Sequence, residues 1–317
     1  MPGRRTVLAA VLLALALLFV HAAISGCDHD EVQHLHGAFL VARGEAPFRD
    51  FLEQRHPLIY YGLAPMTRAF DGSPRALVFA VRAVDLVLLT SLLFVFLRLA
   101  RPHLRDPRAL WPLLVPLGSF FFLRNSMEVR PDPWMAFLCL VALWQWAAYL
   151  RGGGLRRAAV AGFCVGLAVA VLQKAVAFAG LLVVGSIPFA LAGRERMDRA
   201  LRGGAIAVAG ALLPVGALAL AMRHAGLWDD FVFWNYPFNR FYYLATHFDG
   251  PSAAAVLGVA IAEGPLLWLG GLAGLWIAAR RYRNLADEPE LSLAAAVVAG
   301  ILVSVAMSRA ASCAYAF

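Results

Sequence analysis

The chain has 317 residues, 61% hydrophobic and only 15% charged. Soluble domains run about 45–50% apolar and about 25% charged, so this composition excludes a disordered chain, a disulfide framework and an ordinary soluble enzyme. The net charge of +8 comes from 28 basic and 20 acidic residues, every basic one except Lys174 being arginine; the arginines fall mainly between apolar runs, which points to membrane topology and not to nucleic acid.

A spanning helix needs roughly 20 mostly apolar residues. Nine segments have that character, at 6–25, 76–98, 110–123, 133–150, 157–172, 175–192, 203–222, 255–279 and 291–308. The third and fifth are short, and Pro112 and Pro116 predict a kink in the third. No alternation typical of a membrane barrel is present, so the expected fold class is all-α, a single polytopic domain over 1–317 with about nine spans. The short connections holding Arg4–Arg5, Arg101/Arg105/Arg108, Arg151/Arg156/Arg157, Arg194/Arg196/Arg199/Arg202 and Arg280/Arg281/Arg283 are strongly basic. The positive-inside rule places them in the cytoplasm. The alternate connections, 26–75, 124–132, 173–174 and 223–254, then face outward, and the expected location is a bacterial inner membrane.

The N-terminus has two readings. Arg4–Arg5 before an apolar run resembles a signal peptide, and Ile24-Ser25-Gly26-Cys27 resembles a lipoprotein box. An uncleaved first helix fits the polytopic remainder better. Cys139 and Cys164 lie in apolar runs, and no spacing of the four cysteines suggests a metal site or a disulfide framework.

The first outer connection opens Cys27-Asp28-His29-Asp30-Glu31-Val32-Gln33-His34-Leu35-His36. Val32, Leu35, Phe39 and Ala42 recur at helical spacing, which predicts an interfacial amphipathic helix after Asp30. Asp28 with Glu31, or Asp30 with Gln33, has capping-box spacing, so capping alone is one account of the acids. Asp30 and His34 share a helix face at i,i+4, the geometry of a weak metal site. The segment Asp50…Glu53-Gln54-Arg55-His56-Pro57 precedes a tyrosine-rich apolar stretch and reads as a second interfacial helix.

In the second span, Arg82 and Asp85 at i,i+3 are expected to pair, since isolated charges in hydrocarbon are costly. The connection Glu128-Val129-Arg130-Pro131-Asp132-Pro133 offers either an Arg130–Asp132 ion pair or a cap for the next helix. Gly152-Gly153-Gly154 reads as a flexible hairpin, not a phosphate loop. Lys174 falls at an outer turn. The fourth outer connection, 223–254, is dominated by aromatics around Asn239 and Arg240; it reads as an interfacial belt or as a surface for a sugar ring or headgroup. Glu263 is expected near the outer interface.

Asp30-Glu31 directly after the first span, Asp50…His56-Pro57, and Glu128-Val129-Arg130-Pro131-Asp132, in this order and each on an outer connection, resemble the bacterial GT-C glycosyltransferases. The similarity is to protein O-mannosyltransferases and lipid A aminoarabinose transferases, over roughly residues 1–250. The resemblance implies a membrane enzyme that takes a sugar from a polyprenyl-phosphate donor to a lipid, glycan or protein acceptor on the outer face, by an inverting single displacement. It implies Asp30 as the catalytic carboxylate with Glu31 beside it. His56, Arg55, Arg130, Asp132, Lys174 and Arg240 are candidates for the donor and its phosphate, with Asp28, Asp50 and Asn239 in support. No cofactor is required on this reading; a divalent metal could share the charge. Members of that family carry further helices or an outer C-terminal domain, so the chain reads as a short or C-terminally truncated relative. The competing readings are a lipid or sugar transporter and a non-catalytic scaffold.

Overall fold

The computed structural model describes residues 4–104, 110–240, 258, 261–262, 265–281 and 284–307. Among these the architecture is all-helical, with one isolated bridge between Pro47 and Phe51. The helices are α1 (Arg4–Ile24), α2 (His29–Ala42), α3 (Leu58–Ala69), α4 (Pro74–Ala100), α5 (Phe120–Met127), α6 (Pro131–Leu150), α7 (Leu155–Val171), α8 (Ala175–Leu191), α9 (Arg194–His224), α10 (Trp228–Phe233), α11 (Pro265–Arg280) and α12 (Pro289–Met307).

Four of them, α1, α4, α6 and α9, are long and apolar enough to cross a membrane. They correspond to the first, second, fourth and seventh predicted spans. The fifth, sixth, eighth and ninth appear as the apolar helices α7, α8, α11 and α12, of which α7 and α8 have 17 residues each. The third is not one helix. It is broken into Trp111–Leu113, Leu114–Leu117 and α5. Pro112 and Pro116 lack the N–H that a continuous ladder needs, and Ser119 caps α5 by accepting from the Phe122 N–H at 3.3 Å. A second correction concerns α9. Arg194, Arg196, Arg199 and Arg202 are not in a connection but in its first turns.

The chain forms two compact units. One is built from Met1–Phe137, Ala170–Gln173 and Leu218–Asn239; the other from Leu138–Val169, Lys174–Ala217 and Arg240–Phe317. In the first, Val7, Val11 and Leu18 of α1 pack on Leu89, Leu93 and Leu97 of α4. α2 and α3 form a small hairpin beside them, with Leu35, Ala38, Ile59, Tyr60 and Leu63 meeting Val81 and Val129. The buried stripe of α2 is Glu31, His34, Leu35, Ala38 and Val41. This departs from the predicted stripe. Val32 is 53% exposed, and two polar residues, Glu31 and His34, lie inside instead.

In the second unit, glycines let backbones touch. A Cβ at Gly162 or Gly166 of α7 would strike the carbonyls of Ala207 or Ala211 on α9, and one at Gly210 would strike Ala159. Small residues at helix crossings are the usual device where lipid supplies no hydrophobic drive between helices. Gly185 of α8 also lies close to Leu293 of α12, where a Cβ would come within 2.8 Å of its Cα, and Ser292 donates to the Gly185 carbonyl at 2.7 Å.

Gly37 is where the first unit is tightest. A Cβ there would sit 2.9 Å from the ring of Tyr60, which is fully buried. Gly37→Ala is expected to destabilise the unit by about 1–3 kcal/mol, the usual cost of overpacking. A thermal melt in detergent checks this; an unchanged midpoint would mean that the ring can shift.

Candidate functional site

Most of the sequence candidates fall on the segment between α1 and α4 and around the start of α6. Arg82 organises them. Its Nε and Nη2 donate to Glu31 at 2.9 and 2.6 Å, a bidentate pair whose side chains are 5% and 0% exposed. Its remaining donors reach the Ala22 carbonyl at 2.5 Å, the Ser25 carbonyl at 3.0 Å and hydroxyl at 3.1 Å, and the Gly26 carbonyl at 3.0 Å. These are acceptors left over at the end of α1, where a helix runs out of its own donors. The expected Arg82–Asp85 pair is therefore not formed; Asp85 accepts from the Trp134 indole at 3.2 Å.

Capping alone does not account for the acids either. Asp28 is the N-cap of α2, yet its side chain makes no cap hydrogen bond. It joins Arg130 instead. The Arg130 guanidinium meets Asp28 at 2.5 Å, Glu128 at 2.7 Å and Asp30 at 3.0 Å. Three carboxylates around one cation leave an excess of negative charge. Of the two acids in the first turn of α2, Asp30 is partly open, its side chain 18% exposed, whereas Glu31 is sealed; the N-cap Asp28 is 31% exposed.

One turn further along α2, His34 belongs to a second chain of contacts. Tyr60 donates its hydroxyl to Glu53, so the hydroxyl oxygen is the acceptor for His34 Nδ1 at 3.0 Å. His34 Nε2 must then accept from Arg55 Nη1, at 3.2 Å. Glu53 also accepts from the backbone N–H groups of Gln54 and Arg55, at 2.9 and 3.0 Å. The donors run in one direction, from Arg55 through His34 and Tyr60 to a buried carboxylate. Burial, and then the charges of Arg55 and Arg130, depress the His34 pKa to about 3. Burial and the adjacent Glu53 push the Tyr60 phenol well above its ordinary range. Both ring nitrogens of His34 are thus engaged within the protein.

The loop carrying Glu53–His56 is held from several sides. The Gln54 carbonyl accepts from Asn239 at 2.8 Å and Gln173 at 3.1 Å. Asn239 follows a π-helical turn, Trp234–Phe238, and the Trp234 indole donates to the Phe48 carbonyl at 3.0 Å. Phe48 itself has φ of 75°, a strained value for a bulky residue, kept by its burial against Phe231. His56 is buried, its ring 5.1 Å from Phe231 and 6.4 Å from Tyr236.

The structure thus brings together Asp28, Asp30, Glu31, Arg55 and Arg130, with His56 on the adjoining loop and Asn239 bonded to that loop. Asp132 is in the first turn of α6. Asp50 is instead bound locally, to the Ala46 N–H at 2.8 Å and to Arg49 at 3.2 Å, and these two contacts hold its carboxyl below its ordinary range. Lys174 is at the N-cap of α8 and Arg240 is exposed; both belong to the second unit. Residues 241–254 of the aromatic connection, Glu263, Arg105, Arg108, Arg283 and the C-terminal stretch from 308 lie outside the described residues. Glu53, Tyr60 and Gln173 carry no sequence signal that singled them out. Glu31 and His34 carried one: polar residues three apart on the stripe shared by Leu35 and Ala38.

Asp28, Asp30 and Glu128 are hard oxygen donors of the kind a divalent cation prefers. They are disposed about a guanidinium, however, and among the described residues no three His, Cys, Asp or Glu side chains are arranged to hold a metal.

No known family's sequence signature matches the chain, and no curated protein sequence does. A solved structure does. The fold is similar to that of the archaeal oligosaccharyltransferase AglB from Archaeoglobus fulgidus, solved in complex with an inhibitory peptide and a dolichol-phosphate, with a TM-score of 0.59 at 16% identity. The match covers 98% of this chain and 48% of that one, so the chain spans about half the length of its structural neighbour. The likeness is one of fold.

Two outcomes test the geometry. Breaking the sealed pair with Arg82→Ala should cost about 3–5 kcal/mol, because it strands a buried carboxylate; a loss under 1 kcal/mol in chemical denaturation would show that water reaches Glu31. His34 gives a pH signature. Between about 3 and 6.5 it is protonated only in the unfolded chain, so the unfolded state binds the extra proton. Stability should fall as pH drops from 6.5 toward 3, by about 1.4 kcal/mol per unit from this group. His34→Gln should flatten that slope, and an unchanged slope would remove His34 from the account.

Proposed function

We propose that the protein is a membrane glycosyltransferase that moves a sugar from a lipid-phosphate-linked donor to an acceptor hydroxyl. The observation that carries this is a pairing of opposite functions in one small unit. Asp30 is a partly open carboxylate set against Arg130, and beside His34, one turn along the same helix, the loop residue Arg55 makes no ion pair among the described residues. The fold likeness to an oligosaccharyltransferase supports the reaction class. The site's position at the end of α1, the first long apolar helix, supports a donor tethered in the bilayer.

The roles follow from electrostatics. An acceptor hydroxyl attacks poorly until a base takes its proton, and a carboxylate within hydrogen-bond reach does this. Asp30 accepts the proton as oxygen bonds to the anomeric carbon. The bond from that carbon to the phosphate oxygen breaks, and the lipid phosphate leaves with the electron pair. A cation must meet that charge. Arg130 is already compensated by three carboxylates, so the task falls to Arg55, whose guanidinium rests on a neutral histidine. Its fork suits phosphate oxygens. Glu31, sealed against Arg82, is a positioning residue: it fixes the first turn of α2 and so the place of Asp30. A single displacement inverts the anomeric centre and needs no second carboxylate at the sugar. The polyprenyl nature of the carrier, the outer-face location and the inner membrane follow from the motif resemblance and the arginine distribution, as does a supporting role for His56, Asp132, Lys174, Arg240 and Asn239.

The test is transfer by the purified full chain in proteoliposomes loaded with a polyprenyl-phosphate sugar. Asp30→Asn should lower turnover by about 10²–10⁴-fold, the range of general base catalysis, with folding intact. Arg55→Ala should weaken donor use more than acceptor use, and Arg55→Lys should recover part of it. Full activity of Asp30→Asn sinks the assignment of the base.

A further inference from the structure

The second unit carries two adjoining hollows along the first turns of α9. The first, of about 880 Å³, is polar and is lined by Arg151, Arg196, Arg199 and Arg202 together with Glu195 and Asp198. Arg151 is paired with Glu290 at 2.6 Å and Arg196 with Asp287 at 2.6 Å. Arg199 meets no carboxylate. It donates to the carbonyls of Tyr149 and Gly153 at 2.6 and 2.5 Å, closing the C-terminal end of α6, with its guanidinium 4.6 Å from the Tyr149 ring. Arg202 is exposed and has no partner among the described residues. Asp198 lies four positions before it, a spacing that favours an ion pair, yet none joins them.

The second hollow, of about 530 Å³, is apolar. It lies between α8 and α9, with Val183, Ile187, Leu201 and Val208 on its walls and Val165 of α7 and Trp146 of α6 beneath. Its polar side chains are satisfied internally. The Trp146 indole donates to the Ser186 hydroxyl at 2.8 Å, which donates to the Leu182 carbonyl at 2.7 Å. The slot therefore has no use for water. Both hollows share one stretch of helix: Arg196, Arg199 and Arg202 recur every third residue toward the polar hollow, while Met197, Ala200, Leu201 and Gly204 face the apolar one. Charged and greasy surfaces meet across a single helix, as the two halves of a lipid would require.

We propose that these hollows form one phospholipid site, with the headgroup in the polar hollow and an acyl chain in the slot. Arg199 and Arg202 take the phosphate, since a guanidinium fork matches phosphate oxygens and arginine-lined pockets between membrane helices suit lipid headgroups. The accompanying acids decide which headgroup. A purely anionic one would face Glu195 and Asp198. A headgroup that adds a primary amine places its ammonium on them, so the site selects phosphatidylethanolamine over phosphatidylglycerol. This assignment is independent of the transferase reading, since every residue in it belongs to the second unit.

The experiment is native mass spectrometry of the full chain released from nanodiscs of equimolar phosphatidylethanolamine, phosphatidylglycerol and phosphatidylcholine. One phosphatidylethanolamine should remain bound, in excess over the other two. Arg202→Gln should lower its retention about tenfold, Arg202→Lys should restore part of it, and Asp198→Asn should erase the preference for the amine while sparing the phosphate contact. Val183→Trp, which fills the slot without touching a charge, should release the lipid with the melting temperature unchanged. Equal retention of the three lipids, preference for phosphatidylglycerol, or indifference to Arg202→Gln and Val183→Trp each overturns the proposal.

Discussion

The first unit depends on one guanidinium placed where water cannot reach. Arg82 projects from a long apolar helix, and a charge there is expensive unless every donor is met. The chain meets them with a bidentate carboxylate, Glu31, and with the spare carbonyls at the end of α1. A single side chain of α4 thereby closes α1, sets the first turn of α2 and fixes the exit of the chain from the apolar layer. Asp28 and Asp30 flank Glu31 in sequence, so their positions are inherited from it.

Two further arginines complete a graded arrangement. Arg82 is matched to one buried acid, Arg130 is over-matched by three, and Arg55 is matched to a neutral histidine. Charge excess follows the same order: the acids outnumber the cation at Arg130, and the cation stands without an acid at Arg55. An acid-rich cluster and a cation without an acid can then sit side by side without cancelling. The direction of hydrogen bonds from Arg55 to Glu53 sets the His34 tautomer, and burial keeps its ring neutral.

The second unit solves a different problem. Its helices have little polar chemistry inside, and they approach by omission of side chains. Gly162, Gly166 and Gly210 bring α7 and α9 to backbone contact, and Gly185 does the same for α8 and α12. The apolar hollow opens beside the α7–α9 crossing, with Gly162, Ala207 and Ala211 in its lining.

The sequence by itself determined the class of molecule. Apolar runs of spanning length, arginines gathered between them and a dense acidic patch after the first run are local properties, and local properties survive in one dimension. It also located the interfacial helix α2, since a helical period is legible wherever apolar residues mark it. It failed at the register of that helix, because Glu31 and His34 occupy buried positions that an apolar count assigns to other residues. It expected Arg82 to pair three residues away, where the partner lies 51 positions back along the chain. Nor did it single out Glu53 and Tyr60, whose significance comes only from meeting His34. Partner choice among buried charges is a matter of which side chains share a desolvated space, and only the tertiary structure decides that.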